Sequence, residues 1–109
     1  MSAKKFLLSS AQIKSLVPSM GWCLATDRVL VDGCRIAYMY RETPAAGGDS
    51  GWRSFAGDED DEYMQNNGNH GVYDVNTVAN YDRSVIPYLN ASFGSRFDRT
   101  EDDRFVLLP

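Results

Sequence analysis

The hydrophobic residues of this chain come in short runs, and turn-forming residues cut every run off before it reaches three helical turns or a long strand. Strand-like runs cover Trp22–Thr26 and residues 29–31, 35–41, 52–55, 72–73, 93–97 and 104–108. Helix-like runs cover residues 10–17 and 58–65, and two more start at Asp74 and at Asp82 or Ser84. The two kinds do not alternate as regular strand–helix–strand units. This pattern predicts an α+β fold, a mainly antiparallel sheet with several short helices. A chain of 109 residues holds one domain, with a radius of gyration of roughly 13 Å. At 43% apolar residues it can fill a single core, and aromatic rings are expected to supply much of it.

Local signals place the elements. Ser9 and Gln12 have the spacing of a capping box, so residues 10–17 read as a helix that Pro18 and Gly21 end. Residues 1–21 are therefore expected to be an N-terminal extension with a short helix, and residues 22–109 the domain proper. Asp32-Gly33 is a strong two-residue hairpin signal, predicting a turn between strands 29–31 and 35–41. The second strand alternates Ile36, Tyr38 and Tyr40 with Arg35, Ala37, Met39 and Arg41. Residues 43–51 read as a loop, and Asp58 as the cap of a helix running to about Gln65. His70, the one histidine, falls in a loop rich in Asn and Gly and is expected in solvent.

The net charge of −4 is localised. Residues 49–62 carry six acids against Arg53 alone, a local charge of −5, while the rest of the chain carries 10 bases and 9 acids. Such a patch repels phosphate backbones, so no nucleic-acid partner is expected. No apolar run approaches the ~20 residues of a membrane span. The three apolar residues before Ser9 fall short of the roughly 7–15 of a secretory core. A cytoplasmic location is expected, with Cys23 and Cys34 as reduced, structural thiols.

The segment from Asp49 to Tyr63 offers the richest candidate chemistry. Counted from Asp58, a calcium loop would need Gly at position six and Glu at position twelve, where Tyr63 and Asn69 stand instead. Looser coordination by Asp58, Asp61 and Glu62 stays open, as does acid–base work by paired carboxylates. Ser50 lacks the glycine two residues on that a nucleophile elbow needs, because Trp52 is there. The acids also complement a helix N-terminus, without further function. The favoured expectation is a protein-binding surface of Asp49, Ser50, Trp52, Asp58, Glu59, Asp60, Asp61, Glu62 and Tyr63. Acids would steer a basic partner, and Trp52 and Tyr63 would anchor it. No catalytic residue, metal or cofactor is expected.

Several stretches together resemble the immunity-protein family numbered thirty-three, associated with bacterial polymorphic toxin systems. They are Ile36-Ala37-Tyr38-Met39-Tyr40-Arg41-Glu42, Asp49-Ser50-Gly51-Trp52-Arg53, Gly57-Asp58-Glu59, Asp61-Glu62-Tyr63, Tyr73-Asp74-Val75-Asn76-Thr77, Ala79-Asn80-Tyr81-Asp82 and Ile86-Pro87-Tyr88-Leu89. They span roughly residues 22–99. The resemblance implies a non-enzymatic protein that binds and neutralises a cognate toxin. It carries over no catalytic residue. Two other readings remain at this point: a general interaction or regulatory module, and a small carboxylate-based metal-binding protein or enzyme.

Overall fold

A computed structural model describes residues 4–109. Six strands form one sheet: β1 (Trp22–Thr26), β2 (Tyr38–Arg41), β3 (Asp49–Phe55), β4 (His70–Asp74), β5 (Arg96–Arg99) and β6 (Phe105–Leu107). Their spatial order is β4-β1-β3-β2-β5-β6. Every neighbouring pair is antiparallel except β1 with β3. Three short α-helices accompany them: α1 (Asp27–Leu30), α2 (Asp61–Gln65) and α3 (Val75–Tyr81). The expected α+β class holds, and the radius of gyration is 13.3 Å.

One face of the sheet builds the core. Cys23, Ala25, Met39, Trp52, Phe97 and Phe105 meet Val29 and Leu30 of α1, Val75 and Val78 of α3, and Val85 and Leu89 beyond it. Each large side chain buried here contributes roughly 1.5–3 kcal/mol. Trp52, 1% exposed, also donates its indole N–H to the Leu89 carbonyl at 3.0 Å. Phe97 packs against both Trp52 and Tyr88, at centroid separations of 6.2 and 5.2 Å. Asp74 and Asp82 cap as expected, accepting from the Asn76 and Ser84 amides at 3.0 and 3.1 Å. A 3₁₀ helix, Arg83–Tyr88, follows Asp82 and accommodates Pro87.

Two local expectations fail, each because a tertiary partner outcompetes local propensity. Residues 29–31 are not a hairpin arm: Val29 and Leu30 belong to α1 and are fully buried under the sheet. Gly33 does take the positive φ of a turn, +76°, but it links a helix to a strand. Residues 10–17 form only the 3₁₀ turn Ser10–Gln12. Gln12 Oε1 accepts from the Ser9 amide at 2.8 Å, as the capping box requires. Beyond it, Asn side chains of α3 take over the backbone. Asn76 Oδ1 accepts from the amides of Leu16 and Val17 at 2.8 and 3.1 Å. Asn80 Oδ1 accepts from the Lys14 amide at 2.8 Å. Both Asn76 and Asn80 also donate to the Lys14 carbonyl. The extension is thus strapped along α3, and the Tyr81 hydroxyl accepts from the Leu8 amide at 2.9 Å.

Candidate functional site

The sheet face opposite the core is only partly roofed, by the segment after β3 and by α2. At its centre lies Arg53, 3% exposed. β3 begins at Asp49, three residues before the expected strand, and Gly51 bends it. Gly51 has φ +89°, and a Cβ there would stand 2.1 Å from the Glu42 carbonyl oxygen. The bend shifts the register between β1 and β3, so Trp22 faces Asp49 while Leu24 faces Arg53. It also lets Asp49 grip Arg53 with both oxygens, at 2.9 and 2.7 Å. The Asp49 carboxylate accepts from the Ala45 and Gly51 amides as well, at 2.9 and 2.8 Å. Arg53 holds it far below the usual carboxylate range, against the opposing effect of burial. Glu42 adds a second acid, accepting from Arg53 Nε at 2.7 Å.

Asp49, Ser50 and Trp52 are therefore not surface groups, which corrects the expectation that they would touch a partner. Asp49 is committed to a buried ion pair. The Ser50 hydroxyl accepts from the Trp52 amide in a residue 3% exposed. Trp52 is core. These residues bend, pin and fill the fold.

The acids at 58–62 separate in the same way. Asp58 does not cap α2; it forms a two-point pair with Arg28, at 3.1 and 2.5 Å, and that guanidinium lowers its pKa. Glu59 ties down the turn after β3, accepting from the amides of Ala56 and Gly57, both at 2.8 Å. The same carboxylate accepts from the Thr26 hydroxyl at 2.5 Å. Asp60 is the helix cap, accepting from the Tyr63 amide at 2.7 Å. It takes that role because α2 starts at Asp61, two residues later than a cap at Asp58 would set it. Asp61 and Glu62 remain: both exposed, and without an ion-pair or hydrogen-bond partner among the described residues. Tyr63 beside them is half-buried, and burial raises its pKa.

Beside α2 the open face carries three mutually contacting rings. Tyr38 and Tyr40 stand 5.8 Å apart, Tyr38 and Phe55 5.8 Å, and Tyr40 and Phe55 5.9 Å with planes only 15° apart. The alternation holds only within Tyr38–Arg41: the core takes Met39, the tyrosines face the other way, and Ile36, expected on their face, lies before the strand and is buried in the core. Met64 of α2 overhangs Phe55 and divides the face into two contiguous hollows. One, about 150 Å³, is bordered by Leu24, Tyr40, Glu42, Phe55 and Met64, and the other, about 420 Å³, by Tyr38, Phe55, Glu59, Met64 and Asp98. His70 is not a loop residue in open solvent; it opens β4 opposite Thr26 and borders the smaller hollow, half-buried. Among the described residues, no three His, Cys, Asp or Glu side chains stand close enough to share a metal ion. Nor is any helix among them long and apolar enough to cross a membrane.

Residues 23–108 match the family described as the immunity protein Imm33 domain, nearly the whole chain. The chain belongs to the Imm33 immunity-protein family. No curated protein and no solved structure shows significant similarity to it. Two sets of residues from the segments that carry the likeness bear on the open face of this Imm33 domain. The run from Asp49 to Arg53, with Gly57 and Glu59, fixes the backbone around the open face. Tyr38, Tyr40 and Glu42 line what that backbone presents, while Glu62 and Tyr63 of α2 line a separate hollow with Asp60, Asn66 and Asn69. Phe55, Met64 and Asp98 belong to the same surface as Tyr38 and Tyr40. Sequence reasoning missed this group because the sense of the alternation in β2 and the position of α2 decide it.

Proposed function

We propose that this Imm33 domain protects its cell by binding a cognate toxin directly, using the exposed side of α2 and the adjoining open sheet face. Family membership supports the immunity role. The observation that favours this surface is the pair Asp61 and Glu62 on α2, whose charge nothing else in the described chain offsets, together with the half-buried rings of the adjoining sheet face. Rings supply contact area at low entropic cost, and unpaired acids speed encounter with a basic partner. The partner is a protein, and the mode of action is occlusion.

The test is co-expression with the toxin encoded beside this gene, together with a binding titration. Wild-type protein is expected to rescue growth, and its association to weaken as salt is raised from 0.05 to about 0.5 M. The variant Asp61→Lys/Glu62→Lys is expected to fold normally and to bind roughly tenfold or more weakly, mostly through a slower on-rate. Unchanged affinity in that variant would remove α2 from the interface. Failure of the wild type to rescue would remove the immunity role.

A further inference from the structure

The three-ring groove has the chemistry of a receptor for a cationic side chain. Tyr38, Tyr40 and Glu42 follow one another at alternate positions along one edge of β2, so they share a face. Asp98 lies opposite Tyr38 on β5 and borders the same hollow as Tyr38 and Phe55. Two carboxylates therefore flank the rings. Asp98 is exposed and has no ion-pair partner among the described residues. Glu42 is paired, yet its charge is not cancelled. Arg53 is already neutralised by the two-point grip of Asp49, so adding Glu42 leaves the triad one charge negative. The Glu42 side chain is 51% exposed, so that charge faces the groove mouth. Of the nearby bases, Arg99 donates to Asp82, Ser84 and the Ile36 carbonyl, while Arg96, opposite Tyr40 on β5, turns its guanidinium to the Pro109 carbonyl and keeps its charge; the acids still outnumber it at the rings.

We infer that this groove receives an arginine or lysine side chain of the toxin, its charge over the three rings, with Glu42 at one end of the ring cluster and Asp98 at the other. The inference rests on the proposed toxin-binding role and names what that surface recognises. Ring faces attract a cation through their quadrupoles, more strongly as water is excluded, and a flanking carboxylate adds a charge-assisted hydrogen bond. A neutral apolar side chain would gain only the area term. The nearly parallel planes of Tyr40 and Phe55 also suit the flat guanidinium better than the compact ammonium.

The experiment is a nuclear magnetic resonance titration of the full chain with N-acetyl-arginine amide, and with N-acetyl-norleucine amide as the uncharged control. Saturable shifts are expected at Tyr40, Phe55 and Asp98 with the arginine probe, and binding at least roughly threefold weaker with norleucine. Asp98→Asn removes a charge that supports no contact in the fold, and should weaken the arginine probe alone. Equal binding of the two probes, shifts confined to other surfaces, or no shifts at all would overturn the inference. In cells, Tyr40→Leu/Asp98→Asn should lose protection; full protection there would overturn the groove's role while leaving immunity standing. If even the wild type fails to protect, it is the immunity role that fails, and the probe titration judges the groove separately.

Discussion

Replacing Asp49 by asparagine should cost this domain a large part of its stability, although the side chain keeps its shape. The Asp49 side chain is 0% exposed and that of Arg53 4%. Four N–H groups point at the carboxylate: the Ala45 amide and one Arg53 nitrogen at Oδ2, the Gly51 amide and the other Arg53 nitrogen at Oδ1. An asparagine must turn its own NH₂ toward one of these donor pairs. It then leaves two donors unpaired, one of them on Arg53, and the buried guanidinium keeps a single neutral bond to the amide oxygen beside its contacts to Glu42 and the Trp52 carbonyl. Breaking one side of such a buried pair costs about 3–5 kcal/mol, against a total of roughly 5–15 kcal/mol for a domain this size. The midpoint of thermal unfolding should fall by about 15–25 °C.

Urea titration followed by tryptophan fluorescence measures this, with an unchanged denaturant slope as the sign that the unfolded state is not altered. The pH dependence gives an independent check. The folded pKa of Asp49 lies below its ordinary 3.8, so its contribution is fully present above about pH 4 and is lost as pH falls toward the folded value. The wild type should lose this contribution in acid, and Asp49→Asn should show correspondingly less acid sensitivity. A loss under about 1 kcal/mol at pH 7, with both proteins equally acid-sensitive, would refute the reasoning that this pair holds the bend in β3.

Three further outcomes follow from named contacts. Gly51→Ala should fold poorly, since a positive φ costs a non-glycine residue about 1–3 kcal/mol and the added carbon meets the Glu42 carbonyl at 2.1 Å; native yield and circular dichroism report it. Asn76→Ala should cost about 1–3 kcal/mol and raise hydrogen exchange at the Leu16 and Val17 amides, because Asn76 Oδ1 is their acceptor. Burial pushes the Cys23 thiol up to about 12, so a thiol reagent at pH 8 should label the native protein at Cys34 and leave Cys23 intact until the chain unfolds.

Sequence pattern was most informative where local signal and tertiary environment agree. The caps at Asp74 and Asp82 and the strand β1 were readable because a polar cap or a short apolar run is also what the fold requires there. The strand β3 was readable only from Trp52 onward: Asp49, Ser50 and Gly51 look like loop composition, and only the bend that Gly51 permits brings Asp49 onto Arg53. The four residues of α1 carry too little periodicity to separate helix from strand, and Asp32-Gly33 marks a turn without saying what precedes it. The acidic run shows the same limit at the site. Counting charges locates a negative segment, but Asp49, Asp58, Glu59 and Asp60 each have an internal role that depends on Arg53, Arg28, Thr26 and the start of α2. The surface proposed for a partner, Asp61 and Glu62 on α2 with the rings of Tyr38, Tyr40 and Phe55 on the adjoining sheet face, emerges only once those roles are assigned.

Survival of cells carrying the adjacent toxin gene, scored with wild-type protein and with Asp61→Lys/Glu62→Lys at matched expression, tests the proposed role most directly. Rescue by the wild type and markedly poorer rescue by the stably folded variant is the predicted result. Equal rescue by both would contradict the proposed surface, and death in both cultures would contradict neutralisation of that toxin itself.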